Sequence, residues 1–302
     1  MKENNHPKYL NLNRSISDES INLLEWDTLK THLSSFASTK MGKRAILGFD
    51  IPSEFEVSKR LLNETIEIND LENQLEKSIS FSGVFDITRN IEICSKGGVI
   101  GSSDLLEIAE TISVARKLKK ILLDFEKRPF ISSFTKNLSE NSNIEKILKN
   151  GIESNGRISD RASNKLADLR REVLSKKLER KILIDNFIQR NLSFIQDTTI
   201  GDRFGRPVLA IKVQFVDKFK GIIHDSSSSG NTIYFEPENV VSKGNKIASL
   251  EAMVTGEEFK LLQKWSQIIS DNSDNLIAMA GILLRLENAL TRARYSKWIG
   301  GK

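Results

Sequence analysis

From Ser159 to Ile195 the sequence contains neither proline nor glycine. A stretch of that length without a helix breaker predicts one helix, roughly 55 Å long if unbroken at about 1.5 Å per residue. Its apolar residues are Leu166, Leu169, Val173, Leu174, Leu178, Ile182, Ile184, Phe187 and Ile188. They keep no strict heptad, so the apolar stripe drifts around the helix. Charged residues fill the intervals. So long and polar a rod either projects or pairs with one partner helix.

The following segment changes period. Arg206 to Phe215 alternates β-branched and aromatic residues around Lys212 and Gln214, and Gly221-Ile222-Ile223-His224 is a second short apolar run. Ser226 to Asn231 has turn chemistry, and Thr232 to Phe235 reads as a third strand closed by Pro237. Helical spacing then resumes at Val241, Ile247, Leu250, Val254, Leu261, Trp265 and Ile268, and continues to about Trp298, with weak points expected at Gly256 and Gly281. Long helix, small sheet, long helix implies two antiparallel helices with a β tip. Upstream, a helix is expected from Ser20 through Leu23, Leu24, Leu29, Leu33 and Phe36. Another carries Val57 to Leu71 with Ser53 as its cap, and a third starts at Ser102. The expected fold is mainly α with a small antiparallel β module. Its segments are a flexible tail (1–20), a helical core domain (21–150), a first long helix (151–197), the β module (198–237) and a second long helix returning to the core (238–302).

Several function classes recede. Cys94 is the only cysteine and there are three histidines, so neither a disulfide framework nor a cysteine or histidine zinc site is expected. No run of 18 apolar residues predicts a membrane span, and the polar start has no signal-peptide core, which makes the cytoplasm the expected compartment. Gly97-Gly98-Val99-Ile100-Gly101 lacks the Lys-Ser/Thr of a phosphate-binding loop and reads as a turn between helices. His224-Asp225-Ser226 contains catalytic residue types, but adjacency is not triad geometry, and a strand-end turn is the expectation. Asp197, Asp202 and Asp217 follow no metal-ligand spacing. No catalytic residue and no metal site is assigned.

Charge says more. Residues 156–195 hold ten basic and five acidic residues, an excess of five that equals the formal net charge of the whole chain. Clustered Lys and Arg can follow phosphates through counterion release. The same charges can also form a solvated helix face, and the sequence leaves both readings open.

Four blocks carry a family resemblance. Leu24-Glu25-Trp26-Asp27 is followed by Met41-Gly42-Lys43, and Gly97-Gly98-Val99 by Leu105-Leu106-Glu107-Ile108-Ala109. Gly156-Arg157-Ile158-Ser159-Asp160-Arg161-Ala162-Ser163 leads to Leu169-Arg170-Arg171-Glu172. The most specific block is Gly221-Ile222-Ile223-His224-Asp225-Ser226-Ser227-Ser228-Ser229-Gly230-Asn231-Thr232, ending in Phe235-Glu236-Pro237. From about Leu23 to Trp298 the chain resembles the second-type bacterial MutS proteins (MutS-II). It departs from them at Pro207, where an aromatic is expected, and at Asn231, where alanine is frequent.

The resemblance implies an α-helical core, lever helices and a β clamp that embraces double-stranded or branched DNA, with ribosome or RNA as a further target. It implies recombination control, a kinship with mismatch repair, and rescue of collided ribosomes. It also implies a homodimeric parent. ATP and Mg²⁺ belong to an ATPase domain and a nuclease function to a small carboxy-terminal domain, neither found in this sequence, so the chain is expected to be a portion of a longer protein without catalysis of its own. The nucleic-acid contacts expected on the levers and tip are Arg157, Arg161, Lys165, Arg170, Arg171, Lys176, Lys177, Arg203, Arg206, Lys212, Lys218 and Lys220. Gly221, His224, Asp225, Ser228, Gly230, Glu236 and Pro237 are expected to shape the clamp. The alternative is a helical scaffold that binds a protein partner or the ribosome.

Overall fold

A computed structural model describes residues 18–301 except Glu126 and Glu140, with side chains from Ile21 onward. The flexible tail expected over 1–20 falls mostly outside the described residues. The chain is mainly α-helical with one small four-stranded antiparallel sheet. Two compact units form. One comprises residues up to Arg157 together with those from Lys264 onward, and the other runs from Ile158 to Gln263.

The first unit contains α1 (Asp18–Leu23), α2 (Trp26–Ser34), α3 (Lys40–Leu47), α4 (Phe55–Gln74), α5 (Thr88–Ser95), α6 (Ser102–Leu123), α7 (Pro129–Asn137) and α8 (Ser142–Gly151). The second contains α9 (Asn164–Arg190) and four strands: β1 (Ile195–Arg203), β2 (Arg206–Lys212), β3 (Gly221–Ser226) and β4 (Thr232–Pro237). Helix α10 (Glu238–Asp271) contributes to each unit, and α11 (Ser273–Trp298) belongs to the first.

Local signals explain some of the element ends. Pro129 occupies the first turn of α7, where its missing N–H is no loss. Gly97, at φ +82, ends the turn after α5, and the N–H of Ile100 then donates to Ser266 Oγ at 3.1 Å. Helix α6 buries Leu105, Ile108, Ile112, Leu118 and Leu122, and α11 buries Leu276, Met279, Leu283, Leu286 and Leu290. Together with Ile68, Leu71, Ile87 and Ile91 they form the apolar interior of this unit, at about 1.5–3 kcal/mol for each large side chain buried.

Tertiary contacts revise four sequence expectations. The helix expected over 159–195 is α9 alone, and a single 3₁₀ turn at Asp160–Ala162 precedes it. Ser163, extended at φ −157, caps α9 by accepting from the N–H of Leu166. The helix expected from Ser20 to Phe36 breaks after Leu23, because Glu25 adopts a left-handed conformation at φ 49. Ser53 is not the cap of α4; Glu54 occupies that position without a side-chain cap bond. The second helical stretch breaks at Asn272 rather than at Gly256 or Gly281, and the Asn272 amide donates to the carbonyl of Ile268 at 2.8 Å.

One buried carboxylate joins the ends of the first unit. Glu287 of α11, 1% exposed, accepts from the N–H and the hydroxyl of Thr39, each at 2.6 Å. The same hydroxyl caps α3 by accepting from the N–H of Gly42 at 2.9 Å. A Cβ at Gly42 would lie 2.5 Å from Glu287 Cδ, so only glycine lets the helices approach this closely. Replacing Glu287 by Ala strands two buried donors and should destabilise the protein by roughly 2–4 kcal/mol, read from the urea midpoint.

Glu145 of α8 accepts from Arg116 at 2.9 Å and from Lys149 at 3.0 Å, and these partners hold its carboxyl down to about 2. Its folded-state pKa is depressed from an ordinary value of 4.5, so its contribution is complete above that value and disappears as pH falls through about 2. Thermal midpoints of Glu145→Gln should therefore fall less steeply with acid over this window than those of the parent chain.

Candidate nucleic-acid interface

Helices α9 and α10 face each other through a ladder of ion pairs. Lys165 Nζ lies 3.2 Å from Glu257 Oε2, Arg170 Nη2 2.5 Å from Glu258 Oε1, and Lys177 Nζ 2.7 Å from Glu251 Oε1. Lys243 Nζ lies 2.5 Å from Glu179 Oε2. From Arg170 onward, rising positions on α9 meet falling positions on α10, so the helices are antiparallel. Leu169, Val173 and Leu250 are buried in the seam between them, with Val254 packed alongside. Exposed pairs of this kind contribute about 0.2–1 kcal/mol each, so the apolar seam carries much of the cohesion. Lys176 and Lys243 together hold the Glu179 carboxyl at about 2, and Lys165 lowers that of Glu257.

The sheet order is β1-β2-β4-β3, antiparallel throughout. Central β2 buries Val208, Leu209, Ala210 and Ile211, while Leu209, Ile211 and Phe235 pack with Ile184 of α9 and Val240 of α10. Strand β1 was not legible as a strand: Gln196-Asp197-Thr198-Thr199 is polar, and the strand lies at the exposed edge of the sheet. The strand expected from Arg206 to Phe215 ends at Lys212 and continues as a 3₁₀ helix over Val213–Lys218.

Glu236 is the hub of this unit. Its side chain is fully buried, with Oε2 2.8 Å from His224 Nε2 and Oε1 accepting from Arg206 Nη1 at 3.3 Å. Arg206 Nη2 also donates to Asn245 Oδ1 at 2.5 Å, so the network links β2, β3, β4 and α10. His224 occupies an irregularity in β3 where the pairing with β4 slips by a residue. Asp225 turns instead to Arg203, at 3.3 Å, and to the N–H of Ser226. His224 and Asp225 thus serve different partners. Exposed Ser228 lies in the turn closed by the Gly230 N–H donating to the Ser227 carbonyl, with Gly230 at φ +72, and Pro237 pairs with Gly221 at the other end of the hairpin.

The cations named from sequence are divided between the two units and have different partners. Arg157 belongs to the first unit, and its N–H donates to Asn155 Oδ1. Arg161 donates to Ser159 Oγ at 3.2 Å. Arg170, with 13% of its side chain exposed, also donates to Asp160 and to the carbonyl of Ile158 at 2.8 Å. Arg171 pairs with Asp168 yet stays 75% exposed. Lys176 pairs with Glu179 at 2.6 Å. Arg203 stacks 4.0 Å from the Tyr234 ring centroid, and Lys212 donates to the carbonyl of Ser193 at 3.0 Å. Lys218 and Lys220 are both exposed, and Lys218 sits over the Phe194 and Phe215 rings.

Two features escaped the sequence reading. Phe204 and Gly205 form the two-residue turn between β1 and β2, both at positive φ, and Phe204 is 92% exposed. A Phe-Gly pair between polar strand ends was the available signal. Leu174, Leu178 and Ile182, four residues apart on α9, form an exposed apolar stripe.

Comparison with known proteins relates this geometry to named relatives. Over 288 residues the chain is 31% identical to the Endonuclease MutS2 of Synechocystis sp., covering 95% of this chain and 35% of that protein. It is 27% identical over 289 residues to the Endonuclease MutS2 of Clostridium perfringens, covering 95% and 37%. The Endonuclease MutS2 of Halalkalibacterium halodurans is 27% identical over 286 residues, covering 92% and 36%. The relationship is to MutS-type proteins. It runs through nearly the whole chain, which spans about a third of the length of the curated relatives it matches. No protein-family profile matches the chain. Among the described residues no helix is long and apolar enough to cross a membrane, and no cluster of His, Cys, Asp and Glu is grouped to hold a metal ion.

Two glycines of this unit differ sharply in surroundings. A Cβ on Gly221 would lie 2.2 Å from the Glu236 carbonyl and 2.4 Å from the Phe235 ring, whereas one on Gly256 meets nothing within 4 Å. Gly221→Ala should therefore destabilise by about 1–3 kcal/mol, since the sheet edge must move. Gly256→Ala, inside α10, should stabilise by up to about 1 kcal/mol. Chemical denaturation of both variants checks the opposite signs.

Proposed function

We propose that residues 158–263 form the lever and clamp of a second-type MutS protein, and that this module holds nucleic acid through its phosphate backbone. Near-complete coverage of the chain by similarity to proteins named Endonuclease MutS2 carries the reading. The antiparallel helix pair with a sheet at one end supports it as a frame for a clamp. In this reading the target is duplex or branched DNA, with structured ribosomal RNA as the competing substrate. Control of recombination and response to stalled ribosomes are the processes such a clamp serves. No residue here is assigned to dimerisation, to ATP and Mg²⁺ chemistry or to any nuclease step.

The geometry divides the labour among the cations. Arg170 and Arg206 are tied into the frame through buried or half-buried partners. Lys165, Arg171 and Lys177 keep much of their side chains in solvent, as does Lys220. These exposed groups are the phosphate contacts, and Lys165, Arg171 and Lys177 each exchange a weak, solvated ion pair for a phosphate at little expense.

The stripe of Leu174, Leu178 and Ile182 favours the second reading, a scaffold that docks a protein helix. Salt separates the two. Phosphate contacts weaken steeply as salt rises, whereas an apolar helix interface does not. The double substitution Arg171→Glu with Lys177→Glu should weaken duplex binding at least tenfold in fluorescence anisotropy and flatten its salt slope by roughly 2. Leu178→Asp should leave both unchanged. If the charge reversals change neither affinity nor slope while Leu178→Asp abolishes a protein complex, the scaffold reading prevails.

A further inference from the structure

In the first unit three guanidiniums converge on one carboxylate. Glu64 of α4, 2% exposed, receives Arg285 Nε at 3.0 Å, Arg292 Nη2 at 3.4 Å and Arg60 Nε at 4.0 Å. Arg292 also donates to Thr65 Oγ1 at 2.9 Å, and burial pushes its guanidinium below its ordinary value. Three positive charges against one negative leave a local excess of two. The other nearby acids, Glu56 and Glu67, keep their charges and line the adjoining cleft. Glu67 accepts from the N–H groups of Phe130 and Ile131 at the start of α7, and Glu56 lines that cleft beside Lys59.

Beside this cluster opens a cavity of about 250 Å³, lined by the three arginines and Glu64 with Phe49, Leu284 and Asn288, so its lining carries a net charge of two. Gly281 borders it with no atom near its missing side chain. Asn288 Oδ1 is buried there without a hydrogen-bond partner. A half-turn of that amide presents two donors in place of the acceptor. A concave site with surplus guanidinium donors and a net lining charge of two calls for a ligand that is small, doubly negative and rich in acceptors.

We propose that this cavity is a binding site for a phosphate-class oxyanion, gripped by Arg60, Arg285 and Arg292 and completed by the Asn288 amide. A phosphate monoester or hydrogen phosphate carries close to two negative charges near neutral pH and matches the excess, whereas a carboxylate would leave half of it. Fork-shaped guanidinium pairs fit phosphate oxygens two at a time. The proposal is independent of the clamp reading, because every residue it uses lies outside residues 158–263.

The test uses the full chain, with inorganic phosphate as the probe and chloride at matched ionic strength as the reference. Phosphate should raise the thermal midpoint where chloride does not, and its ³¹P resonance should broaden on addition of protein. Arg60→Gln is the first variant, since Arg60 is 62% exposed and reaches Glu64 only at 4.0 Å, so the fold should survive its loss. It should weaken phosphate binding roughly tenfold, as removal of one charge-assisted partner does. Asn288→Leu is the second variant and should also weaken it. A short DNA duplex, titrated in parallel, separates the sources. If Arg60→Gln weakens duplex and phosphate alike, the oxyanion is a backbone phosphate; if duplex binding is unchanged, it is a free phosphate or phosphomonoester. Both results sustain the site. Phosphate acting no differently from chloride, or both variants binding it like the parent chain, overturns the proposal.

Discussion

A carboxylate taken out of water must be met by several donors, and this protein uses that demand to fix its architecture. Glu236, Glu287 and Glu64 are each at most 2% exposed, and each draws together elements far apart in sequence. Glu287 ties α11 to the cap of α3 across 248 residues, and Glu64 ties α4 to α11 across 221. Glu236 joins three strands to α10 through His224, Arg206 and Asn245. Burial of charge adds little net stability, because desolvation offsets much of the attraction. Its effect is selective: a packing that separates the partners leaves an uncompensated charge inside. The close approaches at Gly42 and Gly221 follow, since the space a side chain would fill is occupied by Glu287 in one case and by the backbone of Glu236 in the other.

The basic character of α9 looks different once the second helix is in place. Ten cations in 40 residues suggest an open positive rod, but Lys165, Arg170 and Lys177 find carboxylates on α10, and Arg171 and Lys176 find them on α9 itself. Those acids sit on a helix about 70 to 90 residues further along the chain, so a window on α9 alone overstates the free charge. What the ladder leaves accessible is set by exposure rather than by formal charge. This is why a buried-side arginine such as Arg170 and an exposed one such as Arg171, adjacent in sequence, take unlike roles in the proposed interface.

The same distinction separates the two units. In the helical unit the interior is apolar and its arginines gather on Glu64, leaving a positive cavity. In the unit of residues 158–263 the apolar seam is narrow and the charges are spread along it. A narrow seam between polar helices suits a frame that presents long faces to a large partner, whereas a concave cavity suits a small ligand.

The sequence by itself determined the elements whose causes are local. Helical spacing in 241–268, the Ser102 start of α6 and the Ser226–Asn231 turn follow from propensity, capping and turn chemistry over a few residues. The blocks around Gly221 and Glu236 also marked the part of the β module where backbone approach and buried charge meet. Tertiary structure alone decided the rest. Strand β1 is polar and exists because β2 offers it a hydrogen-bonding edge; α10 ends at Asn272, while Gly256 and Gly281 stay helical inside the longer packing. The Glu64 cluster and the pairing of α9 cations with α10 carboxylates required partners distant in sequence, and no local pattern encodes a partner that only folding brings near.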